Sequence, residues 1–191
     1  MAGSPPSASA PVELQSGWLP GTRRVDSPNF DARPGDEAPS LLVLHAISLP
    51  PGEYGGAAIE QLFTNRLDPQ AHPYYAGLRD LRVSAHFLVR RDGELVQFVA
   101  TDRRAWHAGV SSWRGRARCN DFSVGVELEG TDTEAFTPEQ YERLAGLVVA
   151  LRRTLPLRDV AAHSEIAPGR KTDPGPHFDW RRLLARLART A

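Results

Sequence analysis

The stretch from Ala162 to Pro176 places three reactive side chains close together: His163, Lys171 and Asp173. Its prolines and glycines predict a loop rather than a regular helix. Imidazole nitrogen and carboxylate oxygen are donors that suit zinc, and the loop between them is long enough to turn both inward. Lys171 is the only lysine among 23 basic residues. A compact ammonium group can face a developing negative charge, although chance is the alternative.

His45 is the candidate for a third ligand, which the loop alone does not supply. It follows the apolar run Leu41–Leu44, which is typical of a strand buried on both faces. The end of a strand that opens into a loop is a place where a rigid scaffold holds a reactive side chain. A histidine satisfied within the core is the alternative, and His45 taken alone would favour it.

Glu127 is the candidate general base. Alternation of apolar and polar residues over Phe122–Glu129 predicts a strand with Glu127 and Glu129 on the same face. Only serine and glycine precede them there, so the two acids face either solvent or a cleft. A glutamate in a cleft beside a metal takes a proton from the attacking water. Paired carboxylates also fit the roughly 5 Å separation of a retaining glycosidase, which keeps that class open.

The elements that must position these residues predict a single domain of the α/β (α+β) class, with a central mixed β-sheet flanked by helices. Val83–Val89 and Glu94–Val99 flank Arg91-Asp92-Gly93, and the Asp-Gly pair favours the turn of a β-hairpin. Residues 1–16 are rich in Ala, Ser and Pro. We therefore expect a disordered tail over 1–16 and one folded domain over 17–191.

Helices are predicted by their caps and by their apolar spacing. One runs from about Ala57 to Phe63. The capping box Thr137-Pro138-Glu139-Gln140 begins another, which extends to about Arg153. Asp179 is placed to cap a last helix. The leucines expected to face the core from that helix are Leu183, Leu184 and Leu187.

Composition excludes several classes of function. Acidic and basic residues balance at 23 each, which argues against nucleic acid or an anionic membrane as the main partner. Cys119 is the only cysteine, so an internal disulfide is excluded and a reducing compartment is favoured. No stretch approaches the roughly 18 apolar residues of a membrane span, and residues 1–16 lack a signal-peptide pattern. We expect a cytoplasmic protein and, without coiled-coil heptads, a monomer.

Several motifs occur in an order and spacing that match a known family. They are Val43-Leu44-His45, Val83-Ser84-Ala85-His86, Ala105-Trp106-His107-Ala108-Gly109, Asn120–Gly130 and His163–Pro174. These motifs resemble the zinc-dependent N-acetylmuramoyl-L-alanine amidases of the type 2 class, whose fold is peptidoglycan-recognition-like. Within that class, Gly17-Trp18-Leu19, Ile47–Glu53 and Arg118-Cys119-Asn120-Asp121 are similar to the cytosolic members that act on 1,6-anhydro muropeptides.

The resemblance implies a reaction and roles for the candidate residues. The reaction would be hydrolysis of the lactyl amide bond between (1,6-anhydro)-N-acetylmuramic acid and L-alanine of muropeptides, in cell-wall recycling. His45, His163 and Asp173 would hold Zn²⁺. Glu127 would orient and deprotonate the attacking water, and Lys171 would help to stabilise the oxyanion.

The resemblance also implies a substrate groove for a small muropeptide. Arg82 would hold the acidic stem peptide, and Trp106 and Tyr74 would line the groove. From its loop alone, Trp106 fits a binding wall and a loop anchor equally well. Ala46 departs from the asparagine usual after the first ligand, which puts substrate affinity or preference in question. Two alternatives remain, a non-catalytic peptidoglycan-binding module and a retaining glycosidase.

Overall fold

The structure, a computed structural model, describes residues 13–190 of the chain. Within that range the strands are β1 (Arg23–Arg24), β2 (Phe30–Ala32), β3 (Leu41–Ile47), β4 (Phe87–Val89), β5 (Leu95–Gln97), β6 (Arg103–Ala105), β7 (Ser112–Trp113), β8 (Arg116–Ala117), β9 (Ser123–Glu129) and β10 (Asp159–Ala162). The helices are α1 (Ala58–Phe63), α2 (Pro138–Thr154), α3 (His163–Ile166) and α4 (Trp180–Thr190). Short 3-10 helices lie at Pro34–Asp36, Pro73–Leu78 and Cys119–Phe122.

A six-stranded mixed sheet forms the centre of the molecule, in the order β1-β5-β4-β9-β3-β10. The strands β4, β9, β3 and β10 are parallel neighbours, whereas β5 runs antiparallel to β4. The antiparallel pair is the predicted hairpin, shorter than expected, with Gly93 at φ 85° in its turn. The mixed sheet in a single domain confirms the predicted fold class.

One face of the sheet is covered by α2 and α4. The predicted capping box at the start of α2 is present, since the Thr137 side chain accepts from the Gln140 backbone and the Gln140 side chain accepts from the Thr137 backbone. The Asp179 side chain accepts a hydrogen bond from the Arg182 amide at 2.9 Å, as a cap for α4. The core residues of these two helices include Leu144, Leu147, Leu151, Leu183 and Leu187.

The expectation for Leu184 was wrong. Leu184 is 61% exposed, whereas Leu183 is 1% exposed. Positions 183 and 187 are one helical turn apart and share a stripe, while position 184 is rotated by about 100° from 183. The apolar stripe by which α4 contacts the core is therefore narrower than the three leucines predict.

The other face carries α1 and the segments that surround the candidate site. Ile59, Leu62 and Phe63 of α1 are buried in a core cluster with residues of β4 and β5. Because the carboxyl ends of parallel strands meet at one edge of a sheet, residues at the ends of β3, β9 and β10 lie next to each other there.

Two local expectations differ from the structure. β3 extends to Ile47, so His45 lies inside the strand rather than after it. The loop 162–176 contains one helical turn, α3, at its start. Residues 1–12 of the predicted tail lie outside the described residues, whereas Leu14 packs against the core and Gln15 pairs with Trp18.

None of the helices among residues 13–190 combines the length and the apolar character needed to cross a membrane.

Candidate metal centre and active site

Three donor atoms meet at the carboxyl ends of β3 and β10. His45 lies on β3, and His163 begins α3 directly after β10, which pairs in parallel with β3. The two Nδ1 atoms are 2.9 Å apart. Asp173 Oδ2 lies 3.0 Å from Nδ1 of His163 and 3.4 Å from Nδ1 of His45. The structure thus brings the three residues proposed as ligands into one cluster.

The cluster fits a zinc ion in donor type and spacing. A triangle with these sides has a point about 2 Å from all three atoms, which is the usual zinc–ligand distance. Two imidazoles and one carboxylate leave a fourth tetrahedral position open. The Nε2 atoms of both histidines, which point away from the cluster, also lie near polar groups. Nε2 of His163 lies 3.3 Å from the Ala108 carbonyl, and Nε2 of His45 lies 2.9 Å from Nδ1 of His107. Such partners orient metal-binding imidazoles.

The electrostatics of the cluster favour the protonation states that metal ligands need. Burial lowers the pKa of His45 to about 4, against the opposing effect of Asp173. Burial alone would raise the pKa of Asp173, but the neighbouring imidazoles of His163 and His45 place it below its ordinary value. At neutral pH the site therefore presents a neutral His45 imidazole and an ionised Asp173 carboxylate.

Glu127 lies next to His45 on the adjacent strand, since the two residues are partners in the parallel pairing of β3 and β9. Its side chain is buried, and Oε2 has no hydrogen-bond partner among the described residues. Burial raises the pKa of Glu127 well above its ordinary value, Asp173 adds to the effect and Lys171 opposes it. A buried carboxylate oxygen that lacks a hydrogen bond is energetically unfavourable. Because Oε2 lies beside the cluster, it can accept a hydrogen bond from a molecule in the cleft.

Glu129 lies two residues further on the same strand face, and its carboxylate is fully engaged. Oε1 accepts from Nη1 of Arg90 at 2.9 Å and from the Gly55 amide at 2.8 Å, and Oε2 accepts from the Arg91 amide at 3.1 Å. Glu129 is 1% exposed, so it is neither solvated nor free to act on a substrate. A retaining glycosidase would need both carboxylates, and here only Glu127 is available.

The candidate substrate residues line one cleft of about 580 Å³ together with the cluster. Tyr74 is 48% exposed on the 3-10 helix Pro73–Leu78, and Arg82 is exposed beside it. Trp106 is half-buried, and its amide donates to Oγ of Ser84 at 3.1 Å. Lys171 is exposed, and no hydrogen bond or ion pair of its ammonium group occurs among residues 13–190. All eight candidates border this cleft, while their individual roles stay predictions.

Ala46 also borders the cleft. Its methyl group packs against the core cluster that includes Leu44 and Leu128, on the sheet face opposite to His45. The expected effect of this alanine on substrate affinity stays a prediction.

The sequence assigned no role to three residues that support the cluster. His107 contacts His45, as described above. Asn120 Oδ1 accepts from the amides of His107 and Ala108 at 3.2 and 2.8 Å, which attaches the loop after β6 to the 3-10 helix Cys119–Phe122. Arg170 donates to the carbonyls of Ala108 and Val110 at 2.7 and 2.6 Å. Only His107 carried a signal, as a histidine next to a candidate cleft tryptophan.

Comparison with known protein families matches residues 35–176 to the family described as N-acetylmuramoyl-L-alanine amidase. The chain belongs to this family. Among curated relatives, the 1,6-anhydro-N-acetylmuramyl-L-alanine amidase AmpD of Citrobacter freundii is 62% identical over 174 residues, which cover 90% of this chain and 93% of that protein. The AmpD of Escherichia coli K12 is 61% identical, over 89% of this chain and 94% of that protein.

Solved structures of family members agree with the fold. A crystal structure of a selenomethionine AmpD derivative is 61% identical, with a TM-score of 0.89 over 91% of this chain and 98% of that chain. The amidase AmiD of E. coli, in complex with anhydro-N-acetylmuramic acid-L-Ala-D-γ-Glu-L-Lys, is 28% identical. Its TM-score is 0.59, over 92% of this chain and 65% of that chain.

Proposed function

We propose that the protein is a zinc-dependent amidase that hydrolyses the lactyl amide bond between 1,6-anhydro-N-acetylmuramic acid and the L-alanine of muropeptides, as a step of cell-wall recycling in the cytoplasm. One observation carries the proposal: the donor atoms of His45, His163 and Asp173 converge in the same cleft as a carboxylate oxygen of Glu127 that has no hydrogen-bond partner within residues 13–190. The names of the relatives at about 60% identity support the choice of bond and of substrate class.

The chain's own residues divide the chemistry of amide hydrolysis among them. A zinc ion held by His45, His163 and Asp173 would supply Lewis-acid activation. Glu127 receives the proton of the attacking water at Oε2, which its raised pKa favours, and passes the proton to the departing amine. The ammonium group of Lys171, unpaired within the described residues, lies in the cleft where it faces the negative charge that develops on the carbonyl oxygen.

The remainder of the cleft suits a small acidic glycopeptide. Its volume of about 580 Å³ lies within the usual range for small-ligand sites, roughly 300–1,000 Å³. Arg82 offers a cation to a carboxylate of the stem peptide, and the rings of Trp106 and Tyr74 offer apolar surface to the sugar and peptide. The AmiD complex with an anhydromuramyl tripeptide supports this substrate class. We further propose that the protein acts as a monomer, since the site is assembled within one chain.

The experiment is mass spectrometry of the products from the purified protein and an anhydromuramyl tripeptide, with and without a chelator. The proposal expects free tripeptide and anhydro-N-acetylmuramic acid, no reaction after chelation, and recovery when zinc is added back. A His45→Ala variant serves as the matched control, because it removes one donor and leaves the rest of the cleft.

Two results would contradict the proposal. Release of sugars that continues after zinc removal would point to a glycosidase. Tight binding of the tripeptide without any product from the zinc-loaded protein would point to a binding module. Intact peptidoglycan, given in parallel, measures the preference for the anhydro substrate.

A further inference from the structure

We propose that His107 is a positioning residue for the metal centre, which acts with Ser123 and Gly125 to hold His45 in the tautomer and orientation of a zinc ligand. The inference rests on the proposed zinc site and adds residues to it. His107 touches no donor atom of the cluster itself, since its Nδ1 faces Nε2 of His45 on the side away from Asp173.

The hydrogen bonds fix each proton along a chain that starts at Ser123. The Ser123 hydroxyl donates its one proton to the Cys119 carbonyl at 2.6 Å, so towards Nε2 of His107, 3.1 Å away, it can only accept. His107 must then carry its proton on Nε2, and its Nδ1 is unprotonated. Nδ1 of His107 accepts a hydrogen bond from Nε2 of His45 at 2.9 Å. Nδ1 of His45 is therefore unprotonated, and it points at the cluster. An imidazole nitrogen must be unprotonated to bind a metal ion.

Gly125 leaves the space that the His107 ring occupies. A Cβ at position 125 would overlap the ring atoms Cγ, Nδ1 and Cδ2 of His107. Gly125 pairs with Val43 on β3, two residues before the pair of Glu127 and His45. The missing side chain therefore lets the ring lie against the sheet beside His45, at a centroid distance of 5.0 Å and an angle of 86°.

The main chain at His107 is held as firmly as the ring. Asn120 Oδ1 accepts from the His107 amide at 3.2 Å and from the Ala108 amide at 2.8 Å. The Ala108 carbonyl in turn lies 3.3 Å from Nε2 of His163. The segment 107–108 thus supplies the outer partner of both histidine ligands, one through a side chain and one through a carbonyl.

The first test reads the tautomers directly. Long-range ¹H–¹⁵N correlation spectra of the zinc-free protein should show His107 and His45 both protonated on Nε2. The Ser123→Ala variant removes the acceptor that fixes the proton of His107, so the spectrum of His107 should change towards a mixture of tautomers. A wild-type His107 protonated on Nδ1, or a spectrum unaffected by Ser123→Ala, would overturn the proposal, whatever the activity of the enzyme.

The second test compares two substitutions of His107 by zinc affinity, measured by competition with a chromophoric chelator. His107→Leu keeps the bulk and removes the acceptor, and should weaken zinc binding by about 10- to 100-fold, the usual effect of losing an outer partner. His107→Asn places its side-chain oxygen near the position of Nδ1 and should bind zinc more tightly than His107→Leu does. Gly125→Ala, which displaces the ring, should resemble His107→Leu.

Controls separate this role from folding and from the proposed function. His177→Leu makes the same change at an exposed histidine and should leave zinc affinity unchanged. Thermal unfolding of each zinc-free variant reports on folding, and if His107→Leu fails to fold, the Ser123→Ala spectrum decides. Equal affinities of the Leu and Asn variants would refute an acceptor role. A wild-type protein that binds no zinc would instead refute the proposed function.

Discussion

The replacement of Glu127 by glutamine tests the active site through two readouts that should move in opposite directions. The substitution keeps the size of the side chain and removes its charge and its basicity. Glu127 combines a buried position with an Oε2 atom that has no partner within residues 13–190. We therefore expect the variant to lose turnover and to gain stability.

The loss of turnover follows from the role of a general base. Positioned acid–base groups contribute about 10²- to 10⁴-fold to rate, which corresponds to about 3–5 kcal/mol of activation free energy. Because Glu127 is not one of the three donors, zinc content should stay at the wild-type level. The assay is the initial rate of tripeptide release from an anhydromuramyl tripeptide, with zinc measured by mass spectrometry on the same sample.

The gain in stability follows from the raised pKa of Glu127. A carboxyl group whose native pKa lies above its unfolded value stabilises the fold at low pH, and this contribution is lost as the pH rises through the native pKa. At pH 8 the unfolded carboxyl group is ionised, whereas burial in the native protein disfavours the charged form. Glutamine removes the charge and should add about 1–2 kcal/mol to the free energy of unfolding of the zinc-free protein, or roughly 2–8 °C in Tm. Below pH 4 the difference should vanish.

Glu129→Gln is the matched control, on the same strand face two residues away. Its carboxylate accepts from Arg90 and from two backbone amides, so the substitution should lower the free energy of unfolding by about 1–3 kcal/mol. Turnover should stay within about tenfold of wild type, since Glu129 does not reach the cluster. The roles assigned to the two glutamates are refuted if Glu127→Gln keeps turnover within about tenfold of wild type, or if both variants change stability in the same direction at pH 8.

Three further outcomes follow from the structure. Lys171→Ala should lower turnover by about 10²- to 10³-fold with unchanged zinc content; loss of zinc, or unchanged turnover, would contradict its proposed role. Arg90→Met removes the cation beside the buried Glu129 and should lower the free energy of unfolding, measured in urea, by about 3–5 kcal/mol; a loss below about 1 kcal/mol would contradict a structural ion pair. Burial and the charge of Arg33 lower the pKa of His86 to about 3, whereas the unfolded residue accepts a proton below pH 6.5. The stability of the zinc-free protein should therefore fall as the pH decreases from 6.5 to 3, by up to about 1.4 kcal/mol per pH unit from this group, and equal slopes for wild type and His86→Asn would refute this.

Much of the fold could be predicted because it depends on local chemistry. Strict alternation over β9 predicted which of its residues face the core, and the capping box at Thr137 predicted the start of α2. The same alternation predicted that Glu127 and Glu129 share a face. The failure at Leu184 came from the phase of a short helix, in which three leucines within five positions cannot all face one narrow contact.

The difference between Glu127 and Glu129 required the tertiary structure. Alternation along a strand determines the face of a side chain and says nothing about what lies above it. Arg90, on the segment after β4, and Gly55, in the loop before α1, come from distant parts of the sequence and both bind Glu129. No donor reaches Oε2 of Glu127 within the described residues, and this difference in neighbours leaves one carboxylate available for chemistry and makes the other structural.

The sequence by itself determined the types of reactive side chains and their order: His45, Glu127, His163, Lys171 and Asp173. Their distances were decided by the parallel pairing of β3 with β9 and β10, which joins residues more than 80 positions apart. The place of His107 depended on packing against Gly125, and no spacing in the sequence encodes that contact. Residue types and local periods follow from neighbours along the chain, whereas hydrogen-bond partners follow from the way the sheet and its loops pack in space.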